Sequence, residues 1–455
     1  MTSGCAAPVA EHESPNVILI LVDALRRDHV GAYGYPKPTT PFMDELGAGG
    51  IVFDDALSQA PQTLNSTAGL FTSRHFPFLL WGVEHDPIPG VAEDRREQWA
   101  RTPRLAAANL TIAEVLGAAG YQTVALFNNP HQHPTSGFSQ GFDVARLLDR
   151  DAGQAYARVD TVATAFLDWH STRDPARPYF AYLHLMEPHN PYRPPAEYQE
   201  LFPPGTGRHL YANGRPSPEF TDDDLGTMTA LYDAEIRFLD DTLRNLVAEL
   251  KLRDDLDDTL IIITADHGDE FLDHGGLGHG KTVELELLRI PLIMAGGPAK
   301  ARAGTRVEAL VRNLDLAPTI VEMAALEAAG EFQGVSLIPA INAAGSETPP
   351  PQISYAWIAQ LRSLTSSEWH CMRDLASDRL TLYHRPTDPR GILDVAGEHP
   401  EVADLCLAEL ERLEAEGEEA KRMAVTLKAI ETGDEISPES EAVLEQLKAL
   451  GYVEE

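Results

Sequence analysis

TLIIITADHGDEFLDHGGLGHGK, residues 259–281, decides how the fold is read. Leu260, Ile261, Ile262 and Ile263 form an apolar, β-branched run. That is the pattern of a strand buried on both faces, as central parallel strands are. The run gives way at Thr264-Ala265 to Asp266-His267-Gly268. Two groups able to ligate a metal thus stand at the carboxyl end of a central strand, where open α/β sheets keep their ligand sites. His274, His279 and Lys281 follow among glycines, so chemistry-bearing side chains sit on backbone that turns freely. A loop with a capping aspartate and surface histidines is the plain alternative.

A second stretch repeats the arrangement. Val17 to Val22 is wholly apolar and ends on Asp23, another carboxylate at a strand tip. Further on, Ala60-Pro61-Gln62-Thr63-Leu64-Asn65-Ser66-Thr67 reads as a polar, proline-led loop entering a helix. Thr63 falls at or just before its N-terminus, where free amides and the helix dipole favour an anion. The competing reading makes Thr63, Ser66 or Thr67 the N-cap. Strands are also expected over Tyr121–Phe127, followed by Asn128-Asn129, and over Pro178–Met186, which brings His184 and His189 to another strand tip. Helices are expected from the capping box at Thr111 to Gly120, over 155–171, over 222–251 and over 313–325, with another just after Lys281.

Strands alternating with helices predict an α/β fold: a mostly parallel central sheet with helices on both faces. From about residue 345 the pattern changes to short strand-like runs around 354–358, 370–372 and 380–383, then a charged helical tail. The expected division is a disordered segment 1–14, a catalytic α/β domain 15–345, and a smaller C-terminal α+β subdomain 346–455.

Bulk properties set limits. The 455 residues are 43% hydrophobic and 23% charged, an ordinary globular composition. A net charge of −34 argues against nucleic-acid backbone as a partner, which needs a basic footprint. A small anionic substrate stays compatible, provided a metal and a few cations reverse the field locally. The three cysteines, Cys5, Cys371 and Cys406, are odd in number and far apart, which indicates neither a disulfide framework nor a zinc knuckle. No apolar run is long enough for a membrane span. The start MTSGCAAP resembles the end of a bacterial lipoprotein signal at Cys5 without its basic and hydrophobic regions; with such a signal the protein would be extracytoplasmic, without it cytoplasmic.

The strand-tip groups Asp23, Thr63, Asp266 and His267 form a ligand set suited to one divalent cation, Mn, Zn, Ca or Mg. In that setting Thr63 becomes an activated nucleophile. His184, His189, His279 and Lys281 are candidates for holding the transferred group's oxygens or protonating a leaving group. A two-metal site would draw on Asp269, Asp273 and His274, which the spacing does not compel.

NVILILVDALRRDHVGAYGY, APQTLNSTAGLFTSRHF, YLHLMEPHNPY, YDAEIRFLDD, TADHGDEFLDHGGLGHGK and LELLRIPLIM occur in the order found in sulfatase-like enzymes. The chain therefore resembles the sulfatase-like family of the alkaline phosphatase superfamily, along nearly its whole length. The resemblance implies an alkaline phosphatase-like fold and a metal-dependent hydrolase of sulfate or phosphate esters. It implies Asp23, Asp266 and His267 as metal ligands, together with Thr63, and Thr63 as nucleophile. His184, His279 and Lys281 match catalytic positions on the substrate side; His189 and Asn129 match substrate-binding ones. The departures matter as much. Sulfatases make formylglycine from Cys or Ser in a C/S-x-P-x-R motif; here Thr63-Leu64-Asn65-Ser66-Thr67 stands in its place, and threonine cannot give that aldehyde. Ala24 follows Asp23 where many sulfatases carry Asp, and His267 follows Asp266 where many carry Asn. These features resemble the phospho-branch, so the expected substrate is a phosphate mono- or diester or a phosphonate. A sulfatase without formylglycine and a non-catalytic anion- or glycan-binding descendant are the alternatives.

Overall fold

The computed structural model describes residues 14–82, 103–132, 136–150, 154–209, 214–253, 256–327, 330–344 and 353–432. The expected disorder over 1–14 and the question of Cys5 therefore lie outside the described residues, Ser14 apart.

The two apolar runs that open the reading are neighbours in one sheet. Strand β1 (Asn16–Val22) pairs in parallel with Thr259–Ala265 on one side and with Tyr179–Leu185 on the other. All but Asn16 in these three strands are buried, which is why their sequences lack the alternation of a half-solvated strand. Numbered along the chain, the sheet consists of β1, β2 (Ile51–Leu57), β3 (Gln122–Phe127), β4 (Val144–Leu147), β5 (Tyr179–Leu185), β6 (Thr259–Ala265), β7 (Arg289–Ile290), β8 (Leu292–Gly296) and β9 (Thr305–Arg312). Its order is β7-β2-β8-β6-β1-β5-β3-β4, and β9 pairs with β2. The pairs among β6, β1, β5, β3 and β4 are parallel, whereas β8 runs antiparallel to both β6 and β2. The mostly parallel α/β architecture is thus as expected, with a reversed strand inserted.

Helices α1 (Pro41–Ala48), α2 (Thr63–Thr72), α3 (Ile112–Ala118), α4 (Val159–Thr172), α5 (Asp222–Leu252) and α6 (Leu316–Met323) accompany this sheet. The capping box at Thr111–Glu114 forms as the sequence indicates. A second one, Thr221–Asp224, opens the 31-residue α5. Helix α4 begins at Val159 rather than 155, because the Val159 N–H is taken by the buried Glu187 carboxylate (3.0 Å). The helix expected after Lys281 is a single turn, Leu285–Leu288; the chain goes straight on into β7.

The C-terminal part is a four-stranded antiparallel meander, β10 (Ser354–Ile358), β11 (Leu361–Thr365), β12 (Trp369–Asp374) and β13 (Arg379–His384). Helix α7 (Pro400–Thr432) follows. The sheet is joined to the large domain by a shared apolar cluster: Leu57, Val283, Leu288 and Leu310 pack with Ala356, Ile358, Met372 and Tyr383. One sequence expectation is overturned here. Cys371 on β12 and Cys406 on α7 form a disulfide, with Cα atoms 6.6 Å apart. Their separation of 35 residues hid the pairing, since no short spacing marks a bridge that links a strand to a distant helix. Among the described residues no helix is long and apolar enough to cross a membrane.

Candidate metal and nucleophile site

Sheet register brings the ligands together. Val22 pairs with Ala265 on one side and Leu185 on the other. Asp23 and Asp266 therefore leave neighbouring strands at the same level, at the spacing of adjacent strands. The turn after β1 is tight: Ala24 has φ +59°, and its N–H donates to Asp266 Oδ1 (3.1 Å). The His267 N–H donates to the same oxygen (2.8 Å). Gly268 is required after this pair, because a Cβ there would lie 2.1 Å from the Glu286 carbonyl oxygen.

Three ligand atoms are left without partners. Asp23 Oδ1, Asp266 Oδ2 and His267 Nε2 are buried, and none has a hydrogen bond among the described residues. They lie close together, with His267 Nε2 3.7 Å from Asp23 Oδ1 and 3.4 Å from Asp266 Oδ2. Buried polar atoms normally find partners, so three orphans aimed at one another mark a place for a cation. The imidazole is set for that purpose. His267 Nδ1 faces the Gly268 carbonyl (2.8 Å), which only an Nδ1–H can satisfy, so Nε2 carries the lone pair. Among the described residues this is the single cluster of three or more such groups. The alternative second set is otherwise engaged. Asp269 holds His279 and Tyr192, Asp273 holds Arg26, and His274 holds Glu286.

Thr63 is the first residue of α2; the N-cap is Gln62, and no side chain caps the helix. Thr63 is therefore not spent as a cap. Its hydroxyl donates to Asp23 Oδ2 (3.3 Å). Ser66, a rival cap candidate, instead donates to the Asp266 carbonyl (2.7 Å) and so ties the helix to the end of β6. Asn129 donates from Nδ2 to Asp23 Oδ2 (3.0 Å) and lies 3.3 Å from Thr63 Oγ1. The His131 N–H holds the other end of that amide, Oδ1 (3.0 Å); sequence reading did not single His131 out, and nothing in its proline-flanked loop marks it.

The histidines divide into two groups. His184 is fully buried, with Nε2 on Asp23 Oδ2 (3.1 Å) and Nδ1 on the Tyr182 hydroxyl (2.9 Å). It sits behind the carboxylate, not beside the open ligand atoms. His189 and His279 form the other group, with ring centroids 4.9 Å apart, and His279 lies 4.4 Å from His267. His279 Nδ1 is held by Asp269 (3.0 Å), and His189 Nδ1 by the Asn190 carbonyl (2.6 Å). Lys281 is exposed, and its charge reaches His279.

The electrostatics follow from this crowding. Burial pushes the Asp23 carboxyl up, but His189, His184 and His267 outweigh it and hold it well below the usual carboxylate range. Burial, then the charge of Asp23, push Asp266 well above that range. Burial and His279 drive the His267 imidazole down to about 3, favouring the neutral ligand form. Burial opposes protonation of His279, yet Asp269 raises it above an ordinary histidine. His189 goes the other way, lowered by burial.

Comparisons with known proteins identify the family. The Sulfatase family profile matches residues 15–326, and that of N-sulphoglucosamine sulphohydrolase, C-terminal, matches residues 279–414. Human arylsulfatase A is 28% identical over 361 residues, 70% of this chain and 66% of that protein. The uncharacterized sulfatase YidJ of Escherichia coli (strain K12) is 23% identical over 364 residues, 69% and 68% of the two chains. A stretch of bovine arylsulfatase A reaches 37% identity over 123 residues, 27% of this chain and only 22% of that protein. Among solved structures, the phosphonate monoester hydrolase of Agrobacterium radiobacter superposes with a TM-score of 0.69 at 20% identity, over 89% of this chain and 96% of that one. A protein in complex with its substrate D-glucosamine-2-N,6-O-disulfate also gives 0.69, at 17% identity over 89% and 98%. At such identities the structures show the shared fold. The profile match spans well over half of the 455 residues, and with it the chain belongs to the sulfatase family of hydrolases.

Proposed function

We propose that this protein is a metal-dependent hydrolase of an anionic ester, with Thr63 as nucleophile and a phosphate mono- or diester or a phosphonate as its substrate. One observation carries the reading: three partnerless buried ligand atoms converge beside a helix N-terminus whose hydroxyl is hydrogen-bonded to one of the ligands. Asp23, Asp266 and His267 would hold one divalent cation, which when bound supplies Lewis acidity to the reacting oxygens.

The chain's own residues do the rest. Thr63 Oγ1 is aligned by its hydrogen bond to Asp23 Oδ2, and the proton it loses on attack passes to solvent. Attack forms the Oγ1–phosphorus bond and breaks the bond from phosphorus to the leaving oxygen, giving a phospho-Thr63 intermediate. The N–H groups at the start of α2 favour the charge on the transferred group. His279, held in place by Asp269 and biased toward its cationic form, donates the proton the leaving oxygen needs. His189 keeps a free Nε2 lone pair and accepts from the water that next attacks the phospho-Thr63 phosphorus; cleavage of the Oγ1–phosphorus bond then restores the hydroxyl. Asn129 and Lys281 complete the anion's surroundings, Asn129 from within and Lys281 from the rim.

The choice of phosphate over sulfate rests on Thr63, which keeps a one-step nucleophile and lacks the residues for formylglycine. A sulfuric ester is the second reading, favoured by the names of the related arylsulfatases. The deciding experiment is a panel of aryl phosphate monoester, diester, phosphonate and sulfate, each assayed with several divalent metals. The expected result is turnover of at least one phosphorus ester, abolished in Thr63→Ala with the fold intact. Turnover of the sulfate alone overturns the phosphate assignment, and full activity of Thr63→Ala overturns the nucleophile.

A further inference from the structure

Resting on that reading of the metal cluster, the geometry points to Tyr182 as a positioning residue for the ligand Asp23, acting through His184. Asp23 divides its two oxygens sharply. Oδ2 receives Thr63, Asn129 and His184, and Oδ1 receives nothing among the described residues. Only the His184 contact depends on a tautomer. A carboxylate is acceptor-only, so His184 Nε2 must carry the hydrogen it shows to Asp23. In the neutral ring Nδ1 then has to accept, and its neighbour is the Tyr182 hydroxyl at 2.9 Å. With Nδ1–H instead, the ring would present a lone pair to the carboxylate.

Tyr182 is itself held. Gln132 Nε2 lies 3.3 Å from its hydroxyl and 2.9 Å from Thr67 Oγ1. Gln132, Thr67, Tyr182 and His184 are all fully buried, so the ring is shielded from bulk solvent. The chain of contacts runs from α2, which also carries Thr63, to the back of Asp23. The hydroxyl of Tyr182 thereby commits Asp23 Oδ2 to the protein and reserves Oδ1 for the cation. Among the described residues the Tyr182 hydroxyl meets His184 and Gln132, not Asp23, Asp266 or His267.

The test compares four full-length proteins: the parent, Tyr182→Phe, His184→Gln and the double variant. Each is stripped of metal with chelator and titrated with Mn²⁺ and Zn²⁺ by calorimetry, with melting followed in parallel. Outer partners of metal ligands typically matter by about 10- to 100-fold in affinity. Tyr182→Phe should weaken the parent's metal affinity by about that factor. Glutamine has no tautomer, and its Nε2 can stand where the imidazole Nε2 stands. In the His184→Gln background the Tyr182→Phe change should therefore alter affinity by less than about threefold, a coupling that a packing role would not produce. Should Tyr182→Phe fail to fold, His184→Gln alone decides: affinity near the parent's supports the donor role, and collapse of affinity overturns it. Unchanged affinity in Tyr182→Phe, or an equal loss in both backgrounds, overturns the role of Tyr182. A parent that binds neither metal overturns the metal reading of the cluster itself.

Discussion

Replacing Asp23 by asparagine should weaken metal binding far more than it changes the metal-free fold. The native carboxylate satisfies three donors through Oδ2 and keeps Oδ1 open. An amide cannot do both. With its oxygen on the donors, its NH₂ points at the cation's place. Turned round, its NH₂ confronts the donors of Asn129 and His184. Hydrogen bonds between neutral groups contribute about 0.5–1.5 kcal/mol each, so the second orientation, which loses two, costs roughly 1–3 kcal/mol and the first prevails. The variant then loses a charged ligand and opposes the cation with a donor. We expect affinity to fall at least ~100-fold, about 2.8 kcal/mol at 1.4 kcal/mol per decade. Without metal two terms oppose each other. The substitution removes the repulsion that helps push Asp266 up, but it also removes the stabilisation that the depressed Asp23 carboxyl gives the fold. The assay is thermal unfolding of chelated protein with and without added Mn²⁺. At a metal concentration of about 100 times the parent's Kd, the parent gains about 2.7 kcal/mol, and a variant bound ~100-fold more weakly gains about 0.4. Equal metal-induced stabilisation in both proteins, or a metal-free variant melting far below the metal-free parent, would refute the reasoning.

Other consequences can be checked singly. Lys281→Ala should raise KM for anionic esters severalfold while the protein melts unchanged, since the side chain is exposed; steady-state kinetics with no change would return Lys281 to the surface. Burial pushes the Glu187 carboxyl from its ordinary 4.5 up to about 7. The unfolded chain thus ionises first, and stability falls as pH rises from about 4.5 to 7. Glu187→Gln should flatten that part of a urea-unfolding profile and stabilise above pH 7 by an order of 1–3 kcal/mol. The His274 imidazole, opposed by burial but paired with Glu286, is raised to about 9. Its contribution is full below about 6.5 and is lost as pH passes 9, so His274→Gln should destabilise at pH 6 and much less at pH 10, as read by melting temperature. Cys406→Ala opens a bridge between residues 35 apart. The loop-closure relation predicts a loss of about 3–4 kcal/mol, absent when parent and variant are compared under reductant.

What the sequence made legible is what local chemistry decides. The runs 17–22 and 260–263 are apolar on every residue, and only a strand covered on both faces calls for that. Their carboxylate ends then followed from chain direction. The edges were harder. Strand β9, TRVEALVR, alternates exposed Arg306 and Glu308 with buried positions, and its identity depends on β2 lying beside it. Strand β11, LRSLT, has the composition of a loop and becomes a strand because β10 and β12 flank it. The Cys371–Cys406 bridge has the same origin: it is a property of where α7 lands.

The site divides along the same line. Asp23, Thr63, Asp266 and His267 each stand at an end of an element that the chain itself announces; the parallel register of β1 and β6 puts the tips of those two strands level, and the Ser66 bond to the Asp266 carbonyl brings the start of α2 to them. His184 shows what local reading leaves undecided. It falls next to a strand tip, five residues before His189, and local pattern puts both at the same strand end. Strand alternation separates them: His184 is still inside β5, paired in register with Leu21, and turns to the back of Asp23, while His189 has left the strand and lies against His279. A residue within the strand has its direction fixed by the pleat; one past the tip does not. The different surroundings of His184 and His189 are therefore set by where β5 ends, at Leu185.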